Sequence, residues 1–235
     1  MNKTKLWVCG VLLLLCLPFQ AAIALQYDAL RWEEQIKDFE SADKLAPPSE
    51  GAILFIGSSS IWFWHETLKD DMPGLTVIPR GFGGSTMLDV LNYSDRIVYP
   101  YKPRAIVLYE GDNDISSYAV PLSIIEARYR DFIKELRSRQ PETRLYVLAI
   151  KPSIARWHDW VQVKQMNSMF KALCAGDDRL IYVDIATPML NDSGEPRTDI
   201  FLEDDLHMNK NGYTIWTSVV YPLLRDREGQ YEASL

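Results

Sequence analysis

The chain has 235 residues, 25 Lys and Arg against 32 Asp and Glu, a formal net charge of −7, and 47% hydrophobic and 11% aromatic residues. This is the make-up of one soluble globular domain, and it excludes disorder, collagen and coiled coil. The acidic balance argues against a nucleic-acid partner: phosphate binding needs a basic patch, and the densest basic cluster is only Lys134, Arg137 and Arg139, with Glu135 among them.

In chain order, the first feature is a segment that reads as an export signal. Lys3 and Lys5 open it, residues 6–19 are apolar, and Ala22-Ile23-Ala24 places small residues where a signal peptidase cuts. The expectation is a signal peptide over 1–24 and an exported domain over 25–235, periplasmic or secreted, with no stable membrane insertion after cleavage. An uncleaved anchor is the alternative, since 6–25 is nearly long enough to span a bilayer, although Pro18 and Gln20 interrupt it. Cys9 and Cys16 fall in this segment, and Leu15 is too large for a lipoprotein cleavage site. Cys174 is then alone in the mature chain, which leaves no intramolecular disulfide.

A helix over 27–44 comes next and is expected to pack outside the sheet. Short β-branched and apolar runs at 52–57, 75–79, 105–110, 145–150 and 181–185 read as strands buried on both faces. Between them, helical spacing of apolar residues marks 87–98, 121–139, 157–175 and 211–224, with Pro121 in a first turn and Gly176 at a helix end. Alternation of buried strands with helices predicts an α/β fold, a three-layer α/β/α sandwich around a parallel sheet of about five strands. Sites on such sheets lie in the loops beyond the carboxyl ends of the strands.

Four polar loops occupy those positions. Gly57-Ser58-Ser59-Ser60 follows the first strand and either raises a hydroxyl above the sheet or caps a helix. Arg80-Gly81-Phe82-Gly83-Gly84-Ser85-Thr86 follows the second, exposing amide donors that suit an oxyanion or a phosphate, although neither phosphate-loop glycine pattern is present. Glu110-Gly111-Asp112-Asn113-Asp114 follows the third, where Asn113 reads as an oxyanion donor or as part of an Asx turn. Asp204-Asp205-Leu206-His207 precedes the last helix, and an Asp three residues before a His can fix the tautomer that leaves Nε2 to accept a proton from serine. Each loop alone is weak. Together, in this order and on one sheet edge, they specify a nucleophile, oxyanion donors and a base.

The ordered set GSSS, GFGGST, GDND and DDLH resembles the four sequence blocks of the SGNH hydrolases, also called the GDSL esterase/lipase superfamily, over roughly residues 52–224. The resemblance implies the flavodoxin-like SGNH-hydrolase fold. It also implies Ser59 as nucleophile, Asp204 and His207 as its partners, and an oxyanion hole made of the Ser59 and Gly84 amides and the Asn113 side chain. Ser58 stands where the family usually has Asp, so register selects Ser59, with Ser60 next. Asp205 stands where Gly is frequent and adds a second carboxylate beside His207, and spacing favours Asp204. Lys151-Pro152-Ser153 and Asp184 also sit near strand ends and read equally as structural.

The expected chemistry is two-step hydrolysis of a carboxylic ester, short acyl or acetyl, on a small molecule or glycan. Lysophospholipase or thioesterase activity on longer chains, or a carbohydrate-binding module without chemistry, are the alternatives. No cofactor is expected, and no metal, since the three histidines, His65, His158 and His207, form no ligand spacing. Trp62, Trp64, Trp157 and Trp160 flank strand-end loops and are either core or a stacking platform.

Overall fold

The apolar runs form five strands: β1 Ile53–Gly57, β2 Val77–Gly81, β3 Ala105–Tyr109, β4 Arg144–Leu148 and β5 Leu180–Val183. All pair in parallel in the order β2-β1-β3-β4-β5, with Gly57 level with Gly81 on one side and Tyr109 on the other. The computed structural model describes Asp28 and residues 30–234, and the unit that carries these elements begins at Trp32. The expected export segment lies outside the described residues.

Central β1 and β3 are buried at every position, whereas the edge strands β2 and β5 are only partly so. Alternate side chains of each strand feed two cores, as a doubly covered parallel sheet requires. Leu54, Ile56, Ile106 and Leu108 point into one, which is covered by α1 (Glu33–Leu45), α4 (Met87–Ile97), α6 (Leu122–Arg139) and α7 (Trp160–Cys174). Ile53, Phe55, Val107 and Leu148 point into the other, under α2 (Ser59–Trp64), α3 (Leu68–Asp71) and α8 (Lys210–Glu228). A short helix, α5 (Asp112–Ser116), starts directly after β3. The observed architecture is thus the expected three-layer sandwich.

Local boundaries move for identifiable reasons. β2 begins two residues later than the apolar run suggests, because Leu75 closes a turn by donating its N–H to the Met72 carbonyl. Pro79, which lacks an N–H, is accommodated because β2 is an edge strand. The helix expected over 157–175 opens as a 3-10 turn, Trp157–Asp159, before α7. α8 runs past the expected 224 to Glu228, whose buried carboxylate accepts from Arg144 Nε at 2.5 Å, Arg144 Nη2 at 2.6 Å and Tyr146 Oη at 2.7 Å. That anchor ties the helix end to the start of β4. α1 is held to α4 by Arg96, which pairs with Glu33 and Glu40 at 2.6 Å each.

Candidate active site

The turn from β1 into α2 places Ser59. Gly57 has φ +149°, and a Cβ there would lie 2.1 Å from the Tyr109 carbonyl oxygen, so only glycine lets β1 turn this sharply against β3. Ser58 is buried and its N–H donates to the same Tyr109 carbonyl at 3.2 Å. Ser59 is the first residue of α2, so its N–H belongs to the first turn, where the helix itself supplies no acceptor. Its Oγ lies 3.0 Å from His207 Nε2, and His207 Nδ1 lies 2.5 Å from Asp204 Oδ2.

The loop before α8 fixes that histidine. Asp204 Oδ1 accepts the backbone N–H groups of Leu206 at 3.0 Å and His207 at 2.9 Å, leaving Oδ2 for the imidazole. Burial pushes the Asp204 carboxyl upward, but these hydrogen bonds from His207 and Leu206 outweigh it and hold the pKa at about 2. An ionised Asp204 keeps the Nδ1–H tautomer, so Nε2 faces Ser59 with its lone pair. Asp205 adopts φ +56° and its carbonyl accepts from Ala155 N–H, with no hydrogen bond to the imidazole. The left-handed backbone explains why glycine suits that position. Phe63 lies against the His207 ring, 4.8 Å between centroids.

Ser60 is buried, and the hydrogen bond to His207 Nε2 is made by Ser59, not by Ser60. Of the three adjacent hydroxyls, Ser59 therefore meets His207. His65 is structural, since its Nε2 accepts the Gly81 N–H at 2.8 Å; burial and the nearby Arg80 hold its pKa down at about 4. His158 is exposed and pairs with Asp159.

Across from Ser59, the glycine turn after β2 and helix α5 supply further donors. Gly84 has φ +78°, and its N–H, like that of Ser59, donates to no other described group. Asn113 is buried and its amide is fixed at both ends: Nδ2 donates to the Ser85 carbonyl at 2.9 Å, and Oδ1 accepts from Arg156 Nη2 at 3.0 Å. Its second Nδ2 hydrogen is left for a ligand. Behind the turn, Ser85 Oγ donates to Glu110 at 2.6 Å, and Thr86 with Asp89 forms a capping box that starts α4. Burial, with Asp114 nearby, raises the Glu110 carboxyl well above its ordinary value. Asp114, itself raised to about 6 by burial, accepts from Met87 N–H and pairs with Arg128.

Ser59, His207, Gly84 and Asn113 line one cavity of about 500 Å³ together with further residues. Trp32, Trp62, Phe63, Tyr118 and Leu206 form its aromatic and apolar rim, and Asp112, Lys151 and Arg156 its charged part. Arg156 Nη1 meets Asp112 Oδ1 at 2.7 Å, and Lys151 Nζ lies 3.4 Å from Asp112 Oδ2. Burial raises the Asp112 carboxyl, but Lys151 and Arg156 hold it below its ordinary value; burial lowers the Lys151 ammonium despite Asp112. Of the tryptophans singled out from sequence, Trp62 is on the rim and Trp64 is in the core, while Trp157 and Trp160 stack on each other outside the cavity lining. Asp184 caps a turn through the N–H groups of Ala186 and Thr187, a structural use. Among the described residues no cluster of His, Cys, Asp or Glu could hold a metal ion, and no helix is long and apolar enough to cross a membrane.

Known proteins share this architecture. A protein from Streptococcus pneumonia, provisionally named a platelet activating factor, superposes with a TM-score of 0.71 at 21% identity, over 88% of this chain and 98% of that one. A GDSL-like lipase from Bacteroides thetaiotaomicron gives 0.70 at 17% identity, over 82% and 98%. A carbohydrate esterase family 3 protein from Talaromyces cellulolyticus gives 0.54 at 16% identity, over 78% and 99%. Among curated proteins none matches the sequence. The fold is shared at these low identities, and the sequence profile of the GDSL-like Lipase/Acylhydrolase family matches residues 50–215, which carry all four polar loops. The chain therefore belongs to the GDSL-like lipase/acylhydrolase family, whose members hydrolyse esters.

Proposed function

We propose that the protein is a serine esterase acting on short acyl esters, with Ser59 as nucleophile, His207 as general base and acid, and Asp204 as the group that orients it. The observation that carries this reading is the continuous line from Ser59 Oγ through His207 to Asp204, with Ser59, Gly84 and Asn113, whose free N–H groups have no other acceptor, lining the same cavity as His207. His207 Nε2 takes the Ser59 proton as Oγ attacks the acyl carbon. The Ser59 and Gly84 amides and Asn113 Nδ2 then receive the developing oxyanion. His207 returns the proton to the leaving alcohol, and a water molecule, activated the same way, releases the acid. None of these steps draws on a cofactor.

The cavity favours a short acyl group. Ser60, Asp112 and Lys151 are all buried and polar, which is unfavourable ground for an alkyl chain. The open rim, with Trp62 44% and Phe63 39% exposed, favours an alcohol that offers a flat or ring face, such as a sugar or aryl group. Residues 1–24 support export, so such a substrate would be met outside the cytoplasm; N-terminal sequencing of the protein from the culture fractions checks this.

The test is hydrolysis of p-nitrophenyl esters from acetate to palmitate by the purified protein, beside Ser59→Ala and Ser60→Ala. The expected result is an optimum at short chains and activity abolished in Ser59→Ala. Equal loss in both variants, or a preference for palmitate, would contradict the assignment. A folded protein that cleaves no ester would favour the binding-module alternative.

A further inference from the structure

The Asn113 amide is held by groups from separate parts of the chain, and one of them carries a charge. Asn113 sits in α5, whose five residues are too few for a helix to be stable by its own hydrogen bonds. Its amide turns about a broad, nearly two-fold torsion, so the direction of Nδ2 is set by what the amide meets. At one end Nδ2 donates to the Ser85 carbonyl at 2.9 Å. At the other, Oδ1 accepts from Arg156 Nη2 at 3.0 Å, with the Ser117 hydroxyl 3.5 Å away, at the outer limit of a hydrogen bond. A hydroxyl donates or accepts and would tolerate either orientation of the amide. A guanidinium only donates and keeps its proton, so a reversed amide would set N–H groups against N–H groups.

Arg156 is itself well mounted. Nη1 meets Asp112 Oδ1 at 2.7 Å, and Nη2 also donates to Ser117 Oγ at 3.0 Å, so one guanidinium spans α5 from Asp112 to its C-cap. The side chain is 17% exposed and lines the cavity of Ser59 and His207. The residue before it, Ala155, donates its N–H at 3.1 Å to the carbonyl of Asp205, which follows Asp204 in the histidine loop. One short stretch of chain thus grips the loop of the base through its backbone and α5 through the Arg156 side chain. A charge-assisted bond to Oδ1 also polarises the amide, which makes Nδ2–H a stronger donor to an oxyanion.

Resting on the ester-hydrolase reading above, we propose that Arg156 is a positioning residue for the reaction, which locks and polarises the Asn113 amide so that Nδ2 is presented to the developing oxyanion. It touches no reacting atom, and its effect on the rate passes through Asn113.

The experiment measures kcat and KM on p-nitrophenyl acetate, beside Ser59→Ala, for wild type, Arg156→Met, Arg156→Lys, Asn113→Ala and the doubles that join each Arg156 change to Asn113→Ala. Arg156→Met is expected to lower kcat by about tenfold to 100-fold, less than loss of the donor itself, with KM within about twofold. Arg156→Lys, which keeps a charge but loses the planar fork, should fall between. In the Asn113→Ala background either change should cost less than about twofold more, because the amide it acts on is gone. Arg156→Met strips a buried carboxylate of a partner and could fail to fold, in which case Arg156→Lys carries the same comparison. A second readout is independent of turnover: the Asn113 side-chain NH2 signals of 15N-labelled protein, identified by their disappearance in Asn113→Ala, should move in Arg156→Lys toward those of an exposed asparagine.

Equal losses with and without the Asn113 amide, a change confined to KM, or unmoved NH2 signals each overturns the proposal and leaves Ser59-dependent ester hydrolysis standing. If no ester is cleaved, the hydrolase reading falls and the NH2 signals alone decide: moved, they keep Arg156 as the lock of a binding site, and unmoved, they remove it as well.

Discussion

Replacing Asn113 with Ala tests the oxyanion side of the cavity, and the structure separates its effect on rate from its effect on stability. The amide has two duties. One Nδ2 hydrogen holds the Ser85 carbonyl at 2.9 Å, and the other is directed at the reacting carbonyl only if the proposed mechanism holds. Loss of one oxyanion donor costs on the order of 100-fold to 1,000-fold in kcat, about 3–4 kcal/mol of transition-state stabilisation. On the folding side, Arg156 keeps Asp112 and Ser117 as partners, so the main orphan is the Ser85 carbonyl, worth about 1–3 kcal/mol. That loss is small enough for a domain of this size to stay folded. The assay is kcat and KM on p-nitrophenyl acetate beside a urea unfolding curve. Asn113→Asp sharpens it: the variant keeps an acceptor for Arg156 but turns an oxygen toward the Ser85 carbonyl and the oxyanion, so it should be slower than Asn113→Ala. A folded Asn113→Ala protein within about threefold of wild-type kcat, or one changed in KM alone, would remove Asn113 from the oxyanion hole.

Further outcomes follow from the geometry. Asp204→Asn should lose on the order of 10,000-fold in kcat by favouring the wrong histidine tautomer. Asp205→Gly should retain activity and gain a little thermal stability, because it relieves a left-handed backbone at φ +56°; the reverse ranking would reassign the carboxylate. Glu228→Ala strands Arg144 and Tyr146 at the bottom of the sheet and should cost about 3–5 kcal/mol, read from the shift in urea midpoint, with kcat unchanged in the protein that remains folded. The pKa of His65 is depressed to about 4, so the folded state binds fewer protons than the unfolded one between pH 6.5 and 4. Stability from this group is complete above pH 6.5 and lost as pH falls toward 4, by up to about 3 kcal/mol. Asp114, raised to about 6, acts with the opposite sign, its contribution falling as pH rises from 3.8 to 6. His65→Gln should therefore flatten the acid loss in urea midpoints, and Asp114→Asn should steepen it.

The layers of the fold were legible because burial on both faces writes itself into each strand as a continuous apolar run. Boundaries were less so, since they depend on partners distant in sequence. α8 passes its expected end because Glu228 reaches Arg144, 84 residues away, and β2 starts late because Leu75 is committed to a turn. Helix α5 could not be read at all: five residues are too few to show a helical period, and its start depends on Gly111 at φ +112°.

The site divides along the same line. The polar blocks that carry Ser59, Asn113, Asp204 and His207 were visible because each lies immediately after a strand or before a helix, whereas the choice of Ser59 among three adjacent serines rested on the family resemblance. Lys151 carried half of that signal, lying just beyond β4, but its meaning depends on Asp112, 39 residues earlier in the chain and paired with it only in the fold. Arg156 carried none. It lies in irregular chain between β4 and α7 and acquires its role by crossing to α5, where one guanidinium grips Asp112, Asn113 and Ser117. The residues that do the chemistry in the proposed reaction are thus locally written, whereas the charged floor is assembled from two strand ends and a loop. For that reason an alkyl-ester series alone would test the first group and leave the second unprobed.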